Sequence, residues 1–438
     1  MRTSESQVDT NTTLAEITWL STHNPHQVFY SLMHQFNVEA LHRCFNKLDG
    51  RKAIGVDQVS KAKYSEKLSD NLEEVITRMK RMAYRPGPVR EVRIPKEGKR
   101  DATRPLGISN FEDKLIQKRT QEILESIYEP LFLDCSYGFR PKRNCHDAVK
   151  ALMDHLFKEE VEVVIDVDLA NFFNKVDHEI AKDILSRKIK DTKFIRHISR
   201  MFKAGVLWEG ELTVNDEGVI QGSCCSPVIA NIMAHVVIDQ WMEERVIPLM
   251  RGKVRMFRYA DDIVICCRYE EDAKRIRNVL GKRLSKYHLA LNEEKTKMVN
   301  FSKSKRRKGI KQESFEFLGF RFYLGKSLKG ITIPKLKTSG KRFRSKLKRV
   351  KEWAREIRNR KPLGEIWKTL CAKLRGHVQY YGVSYNFKMV AQFIYEARKI
   401  MFKWLNRRSQ RKSFDGNKFD LFTRKHPLPK AKIVHKLF

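Results

Sequence analysis

Tyr259-Ala260-Asp261-Asp262 sets two adjacent carboxylates between Met256-Phe257 and the apolar run Ile263-Val264-Ile265-Cys266-Cys267. Two short apolar segments around an acidic pair predict a β-hairpin that presents carboxylate where strand becomes turn, a place that can hold a divalent metal. Side chains alternate across a strand, so Asp261 and Asp262 face one metal together only if the turn rotates one of them. One is then primary and the other auxiliary. Alone, an Asp-Asp pair is an ordinary surface turn, so metal chemistry requires a second acidic strand.

The segment from Val161 to Phe173 supplies it. Alternation puts Val161, Val163, Ile165 and Val167 on one face and Glu162, Val164, Asp166 and Asp168 on the other. Asp168 lies at the strand's end, where solvent, nucleotide and metal can meet, whereas Asp166 lies deeper, toward a structural role. Hard oxygen ligands from two strands suit Mg²⁺, which keeps much of its water and prefers carboxylate and phosphate oxygen. The leading reading is a two-metal phosphoryl-transfer site.

The elements around these strands follow from periodicity. Residues 27 to 60 carry a weak helical pattern, and a helix near 64 to 83 leads into Tyr84-Arg85-Pro86-Gly87-Pro88. Arg90, Val92 and Ile94 then begin a basic strand with its hairpin tip at Lys96 to Arg100. Residues 112 to 132 predict a helix with Leu115, Ile116, Ile123, Leu124 and Ile127 on its apolar side. A region of mixed strands and helices runs from about 160 to 325, including a helix at 227 to 245. From Lys335 to Lys361, thirteen Lys/Arg face only Glu352 and Glu356, while Phe343, Leu347, Val350 and Ile357 keep helical spacing. This predicts one amphipathic basic helix. Like charges at such density repel unless phosphate answers them, so Lys341, Arg342, Arg344, Lys346, Lys348, Arg349 and Lys351 are candidate contacts to a phosphate backbone. Two more helices follow, at 363 to 375 and 387 to 405.

Blocks of distinctive residues occur in order: Arg104-Pro105-Leu106-Gly107-Ile108, Asp134-Cys135-Ser136-Tyr137-Gly138-Phe139-Arg140-Pro141, the Asp168 strand, Gln221-Gly222-Ser223-Cys224-Cys225-Ser226-Pro227 with Asn231, and Tyr259 to Asp262. Leu291-Asn292-Glu293-Glu294-Lys295-Thr296 and Phe317-Leu318-Gly319-Phe320 complete the series. In this order the blocks resemble group II intron-encoded reverse transcriptase/maturase proteins from about Asn46 to the C-terminus. Leu374-Arg375-Gly376-His377-Val378-Gln379-Tyr380-Tyr381, placed between two helices, resembles the maturase signature.

The resemblance implies an α+β right-hand polymerase of fingers and palm followed by an α-helical thumb/maturase region. Its divisions would be an N-terminal extension over 1–60, fingers and palm over 61–330, thumb over 331–405 and a basic tail over 406–438. Asp168 and Asp261 would hold two Mg²⁺ ions, with Asp262 assisting and the Leu169 carbonyl as a further ligand. Phe173 would exclude a ribose 2′-OH, with Phe172 the next candidate; a plain core role is a strong rival for Phe172 and a weaker one for Phe173. Lys96 and Arg104 would grip the triphosphate, Gln221 and Gly222 would lie against the templating pair, and Lys295 would donate a proton to departing pyrophosphate. Ile220 and Cys224 replace prolines usual in the family, and Asn174 replaces an aspartate, which alters the shape expected of the Gln221 loop.

Composition points the same way. A net charge of +36 over 438 residues calls for nucleic acid as counter-charge. No apolar stretch approaches the ~20 residues of a membrane span, and the first 26 residues lack an apolar signal core, so a cytoplasmic bacterial protein is expected. The eight cysteines form no C-x-x-C pair or zinc-spaced set. About 33 residues follow Leu405, too few for an appended endonuclease. The activity so implied is RNA-directed DNA synthesis, with structured intron RNA, an RNA template with DNA primer, target DNA and dNTPs as partners. Alternatives are a relative recruited to phage defence or DNA repair, and a splicing-only RNA-binding maturase.

Overall fold

The computed structural model describes residues 12–95, 103–208, 211–213, 218, 222–408 and 414–437. Helix α1 (Leu14–His23) opens on a Thr13–Glu16 capping box, and α2 (Val38–Lys47) on Asn37, whose side chain accepts from the Ala40 amide. The helix expected over 64 to 83 is two, α3 (Lys61–Ser65) and α4 (Leu68–Lys80), because Lys67 leaves helical backbone angles. The Asn71 side-chain amide donates to the Tyr64 carbonyl at the break, 3.0 Å away, satisfying an acceptor that the helix end would orphan. Strands β1 (Val89–Pro95) and β2 (Thr103–Ile108) pair antiparallel. Their connecting tip, with Lys96, lies outside the described residues. Helix α5 (Phe111–Tyr128) buries Leu115, Ile116, Ile123, Leu124 and Ile127, the stripe that periodicity marks.

After α6 (Cys145–Lys158) the chain enters β3 (Val163–Asp168), followed by α7 (His178–Ser186), α8 (Thr192–Phe202), β4 (Val206–Trp208) and β5 (Glu211–Thr213). β4 joins β1 in parallel, giving a sheet ordered β2-β1-β4-β5. The predicted 227–245 helix is α9 (Ser226–Ala234) continued by two wide π-helical segments, His235–Asp239 and Met242–Val246. Then come β6 (Val254–Tyr259), β7 (Asp262–Cys267), α10 (Glu270–Ser285) and β8 (Lys297–Asn300), forming an antiparallel sheet ordered β6-β7-β3-β8. Its odd β3 residues, Val163, Ile165 and Val167, enter the larger core, and Val164 enters a second core on the other face. Burial on both faces explains why Ile263 to Cys267 reads as an unbroken apolar run. Cys266 and Cys267 are buried free thiols that fill core volume.

A short α11 (Lys303–Arg307) leads to the three-stranded sheet β9 (Ser314–Phe317), β10 (Phe320–Lys326) and β11 (Thr332–Thr338), whose phenylalanines form the second core with α6. The basic helix therefore starts later than its charge suggests. Lys335 and Lys337 lie on β11, and α12 spans Gly340–Ile357. Helix α13 (Leu363–Tyr381) is longer than expected and contains the Gly376 to Tyr381 segment that sequence places between helices. Helix α14 (Phe387–Leu405) buries Val390, Phe393, Ala397, Met401 and Trp404. In the region read as a basic tail, α15 (Gly416–Lys425) packs Phe419 into the helical bundle. Beyond it, Leu437 enters the second core, 1% exposed, and His435 bridges Val383. No helix among the described residues is long and apolar enough to cross a membrane.

Candidate active site

The register of the central sheet sets the acids. β3 and β7 run antiparallel with Asp168 directly opposite Asp262, so both side chains leave the same face, as does Asp166. The β6–β7 hairpin closes on the Tyr259–Asp262 pair, leaving Ala260 and Asp261 as its turn, with Ala260 in the left-handed region at φ 57°. Asp261 is exposed at the tip; Asp262 sits below it and accepts from the Leu318 amide at 3.4 Å. Leu169 pairs with Leu291 just past the strand.

A fully buried network holds the turn. The Arg258 guanidinium donates to both Asp239 carboxylate oxygens (2.7 and 2.5 Å), Asn231 Oδ1 (3.0 Å), Ser136 Oγ (2.7 Å) and the Ala260 carbonyl (3.1 Å). Asn231 in turn donates to the Gly138 carbonyl at 2.7 Å. The wide π-helical segment after α9 carries Asp239 to this pairing. Gly138 must lack a side chain, because a Cβ there would stand 2.4 Å from the Ala260 nitrogen. Sequence reasoning missed Arg258 and Asp239; the only hint was a second arginine, after Arg255, in the strand that leads to the acidic turn.

Crowding of carboxylates is visible in their proton affinities. Burial, then Asp166, Asp261 and Asp168, push Asp262 up to about 7 against the Leu318 amide. Burial and the Asp168 charge push Asp166 up to about 6, with Lys297 opposing. Asp261, though exposed at its tip, is also held above the ordinary carboxylate range by the protein behind it and by Asp168. A cation placed among these groups would relieve the repulsion. The donors are all oxygen, which fits Mg²⁺ and not a soft metal. Among the described residues no three His, Cys, Asp or Glu side chains form a ready cage, so ligand oxygens would have to complete any coordination shell.

The Lys295 ammonium lies 3.2 Å from both oxygens of Asp168. Its turn is fastened to Asp168 itself: the Asn292 amide donates to the Asp168 carbonyl at 2.8 Å, and the Thr296 hydroxyl accepts from the Asp168 amide at 3.3 Å. Phe172 is core, 2% exposed, whereas Phe173 is half-buried and meets Phe139 edge-on at 6.3 Å. Phe139 is itself half exposed.

Arg104 is exposed on β2 opposite Ile94. Gly222 (φ +112°) abuts the same strand, where a Cβ would stand 2.4 Å from the Gly107 carbonyl. Lys96 and Gln221 lie outside the described residues. On α12, Lys341, Arg342, Arg344, Lys348, Arg349 and Lys351 reach solvent to differing degrees. Lys346 differs: it lies over the Tyr381 ring at 4.6 Å, and burial followed by Arg342 and Arg349 lowers its proton affinity.

A sequence profile of the family described as reverse transcriptase (RNA-dependent DNA polymerase) matches residues 94–322, which contain the carboxylates, Arg104, Phe173, Gly222 and Lys295. Similar proteins include the group II intron-encoded protein LtrA of Lactococcus lactis subsp. cremoris, 38% identical over 169 residues, covering 38% of this chain and 27% of LtrA. Protein YkfC of Escherichia coli is 30% identical over 327 residues, 66% of this chain and 82% of YkfC. An uncharacterized 91 kDa protein in the cob intron of Schizosaccharomyces pombe is 35% identical over 174 residues, 40% of this chain and 21% of that protein. The chain thus aligns with only about a quarter of LtrA.

Proposed function

The chain belongs to the reverse transcriptase family, in its group II intron-encoded branch, and from that premise we propose that it extends a DNA primer on an RNA template and binds structured intron RNA. In this reading α3 to β2 with β4 and β5 serve as fingers, the β6-β7-β3-β8 sheet as palm, and α12 to α14 as thumb. The observation that carries it is Asp168 opposite Asp262 at the mouth of the sheet, with Asp261 at the adjoining tip.

Two Mg²⁺ ions held by Asp168 and Asp261, with Asp262 and the Leu169 carbonyl assisting, would activate the primer 3′ hydroxyl and neutralise the triphosphate. The protein's own groups do the rest. Asp262 supports the turn through Leu318, and Arg258 fixes its backbone, so Asp261 is positioned before substrate arrives. Phe173 presents a ring edge where the incoming sugar would sit and excludes a 2′-OH. Arg104, with Lys96, would hold triphosphate oxygens, the guanidinium as a fork and the ammonium as a point charge. Gly222 lets backbone approach the templating pair beside Gln221. Lys295 carries a proton on Nζ within reach of the site and would give it to departing pyrophosphate.

The cations of α12 would track RNA phosphate, supporting splicing and intron mobility; Lys346, turned onto Tyr381, would contribute least. Extension of a DNA primer annealed to an RNA template, supplied with dNTPs and Mg²⁺, tests the reading. Purified chain that binds this duplex yet adds no nucleotide would refute it.

A further inference from the structure

At the end of β10 farthest from the catalytic turn, Arg306, Arg307, Gly309, Lys326, Gly330 and Ile331 line a cavity of about 540 Å³. Phe320 to Lys326 spans six residue steps of an extended strand, roughly 20 Å at ~3.4 Å each, so the cavity lies beyond reach of a nucleotide at Asp168. Three cations line it and no carboxylate does.

The helix that supplies two of them is rigidly mounted. Lys303 Nζ donates to the Leu156 and Phe157 carbonyls at the end of α6, 2.9 Å each. Glu160 accepts from the Ser304 amide at 2.9 Å, and Lys305 pairs with Glu162 at 3.4 Å. These bonds occupy the neighbouring polar groups of α11, and Arg306 and Arg307 remain exposed toward the cavity. Open space lies beside Gly309 and Gly330, where nothing stands within 4 Å of a Cβ position.

We propose that this pocket grips a backbone phosphate of structured RNA, outside the primer–template cleft. Guanidinium forks match phosphate oxygens in pairs, and clustered like charges repel one another until an anion answers them. A free ion would leave apolar surface uncovered: Ile331, which lines the cavity, is 55% exposed. Ile310, next in the chain to the lining residue Gly309, is 53% exposed, and Leu328, within the Lys326–Gly330 turn, is fully so. Ribose and base flanking a held phosphate would cover it. The inference rests on the reading above that the chain binds structured RNA.

The test is the Kd of a transcribed group II intron RNA across a salt series, for the wild type and for the combined variant Arg306→Gln, Arg307→Gln, Lys326→Gln. The slope of log Kd against log salt should become shallower by about 2 to 3, at ~0.7–0.9 for each phosphate left without its cation. Binding and extension of a short RNA–DNA primer–template should be unchanged, which also reports intact folding. An identical slope overturns the site, and so does an equal loss on the short duplex. Inorganic phosphate at millimolar concentration, or vesicles containing phosphatidylserine, binding through these cations while the RNA slope stays fixed would assign the pocket to a free anion or a membrane and likewise overturn it. Wild-type protein that binds no structured RNA removes the broader RNA-binding reading, and this site with it.

Discussion

Lys295 Nζ sits 3.2 Å from both carboxylate oxygens of Asp168, so one ammonium bridges the acid that a metal would need. Both side chains are partly exposed, 55% and 39%, so the pair contributes at most about 1 kcal/mol to stability. In the proposed function its value is positional: the ammonium would wait at the reacting centre. Lys295→Met should slow single-turnover nucleotide addition by roughly 10²-fold or more, the range of general acid catalysis, with duplex Kd unchanged. Lys295→Arg should keep folding and duplex binding but not rate, since a guanidinium keeps its proton. A rate within a few-fold of wild type in Lys295→Met would leave Lys295 a surface charge.

The ring of Phe173, edge-on to Phe139, is the proposed sugar gate. Phe173→Val should raise ribonucleotide incorporation relative to deoxynucleotide in a direct competition, because the exclusion is steric. Phe172→Val should instead lower stability by about 3 kcal/mol, since that ring is core and leaves a cavity. An unchanged sugar ratio in Phe173→Val would move the gate elsewhere.

Arg258 and Asp239 are both fully buried. Removing one partner strands the other's charge, a loss of about 3–5 kcal/mol. Arg258→Met should therefore lower the urea midpoint strongly. Arg258→Lys, with a single donor point, should recover only part of the stability and should still impair extension, because the Ala260 carbonyl loses its donor. A variant of wild-type stability and rate would show that the turn holds itself.

His377 stacks on Phe393 with ring centres 3.6 Å apart, and burial, followed by the Lys346 charge, presses its pKa down to about 3. An imidazole with a depressed folded pKa binds protons more readily unfolded, so its contribution is lost as pH falls below the unfolded value near 6.5. Stability of the wild type relative to His377→Phe should thus decline by up to about 2 kcal/mol between pH 7 and pH 5. His155, His197 and His235, pressed down to about 4 by burial, change both proteins alike. Parallel melting curves of the two proteins across that range would contradict the assignment.

Local pattern made much of this legible. Alternation in Val163 to Asp168 and helical spacing in α5 and α14 are short-range signals, and burial follows them. The Arg258 network was not legible because its partners are 19, 27 and 122 residues away, so no local window contains them. Charge misled at Lys335 and Lys337, where a strand's alternation of basic and apolar residues merges into the basic helix that follows. The longer α13 was hidden by Gly376, a residue that helices tolerate at a cost of about 1 kcal/mol.

In the proposed function Asp168 is a shared metal ligand and not a structural acid. Its most direct test is single-turnover primer extension on an RNA template by Asp168→Ala beside Asp166→Asn, with duplex Kd measured for both. Asp168→Ala should lose extension by at least about 10³-fold with duplex binding nearly unchanged, since a lost ligand removes charge stabilisation from the chemical step. Asp166→Asn, deeper on the same face, should keep most of its rate. Full extension by Asp168→Ala would contradict the account.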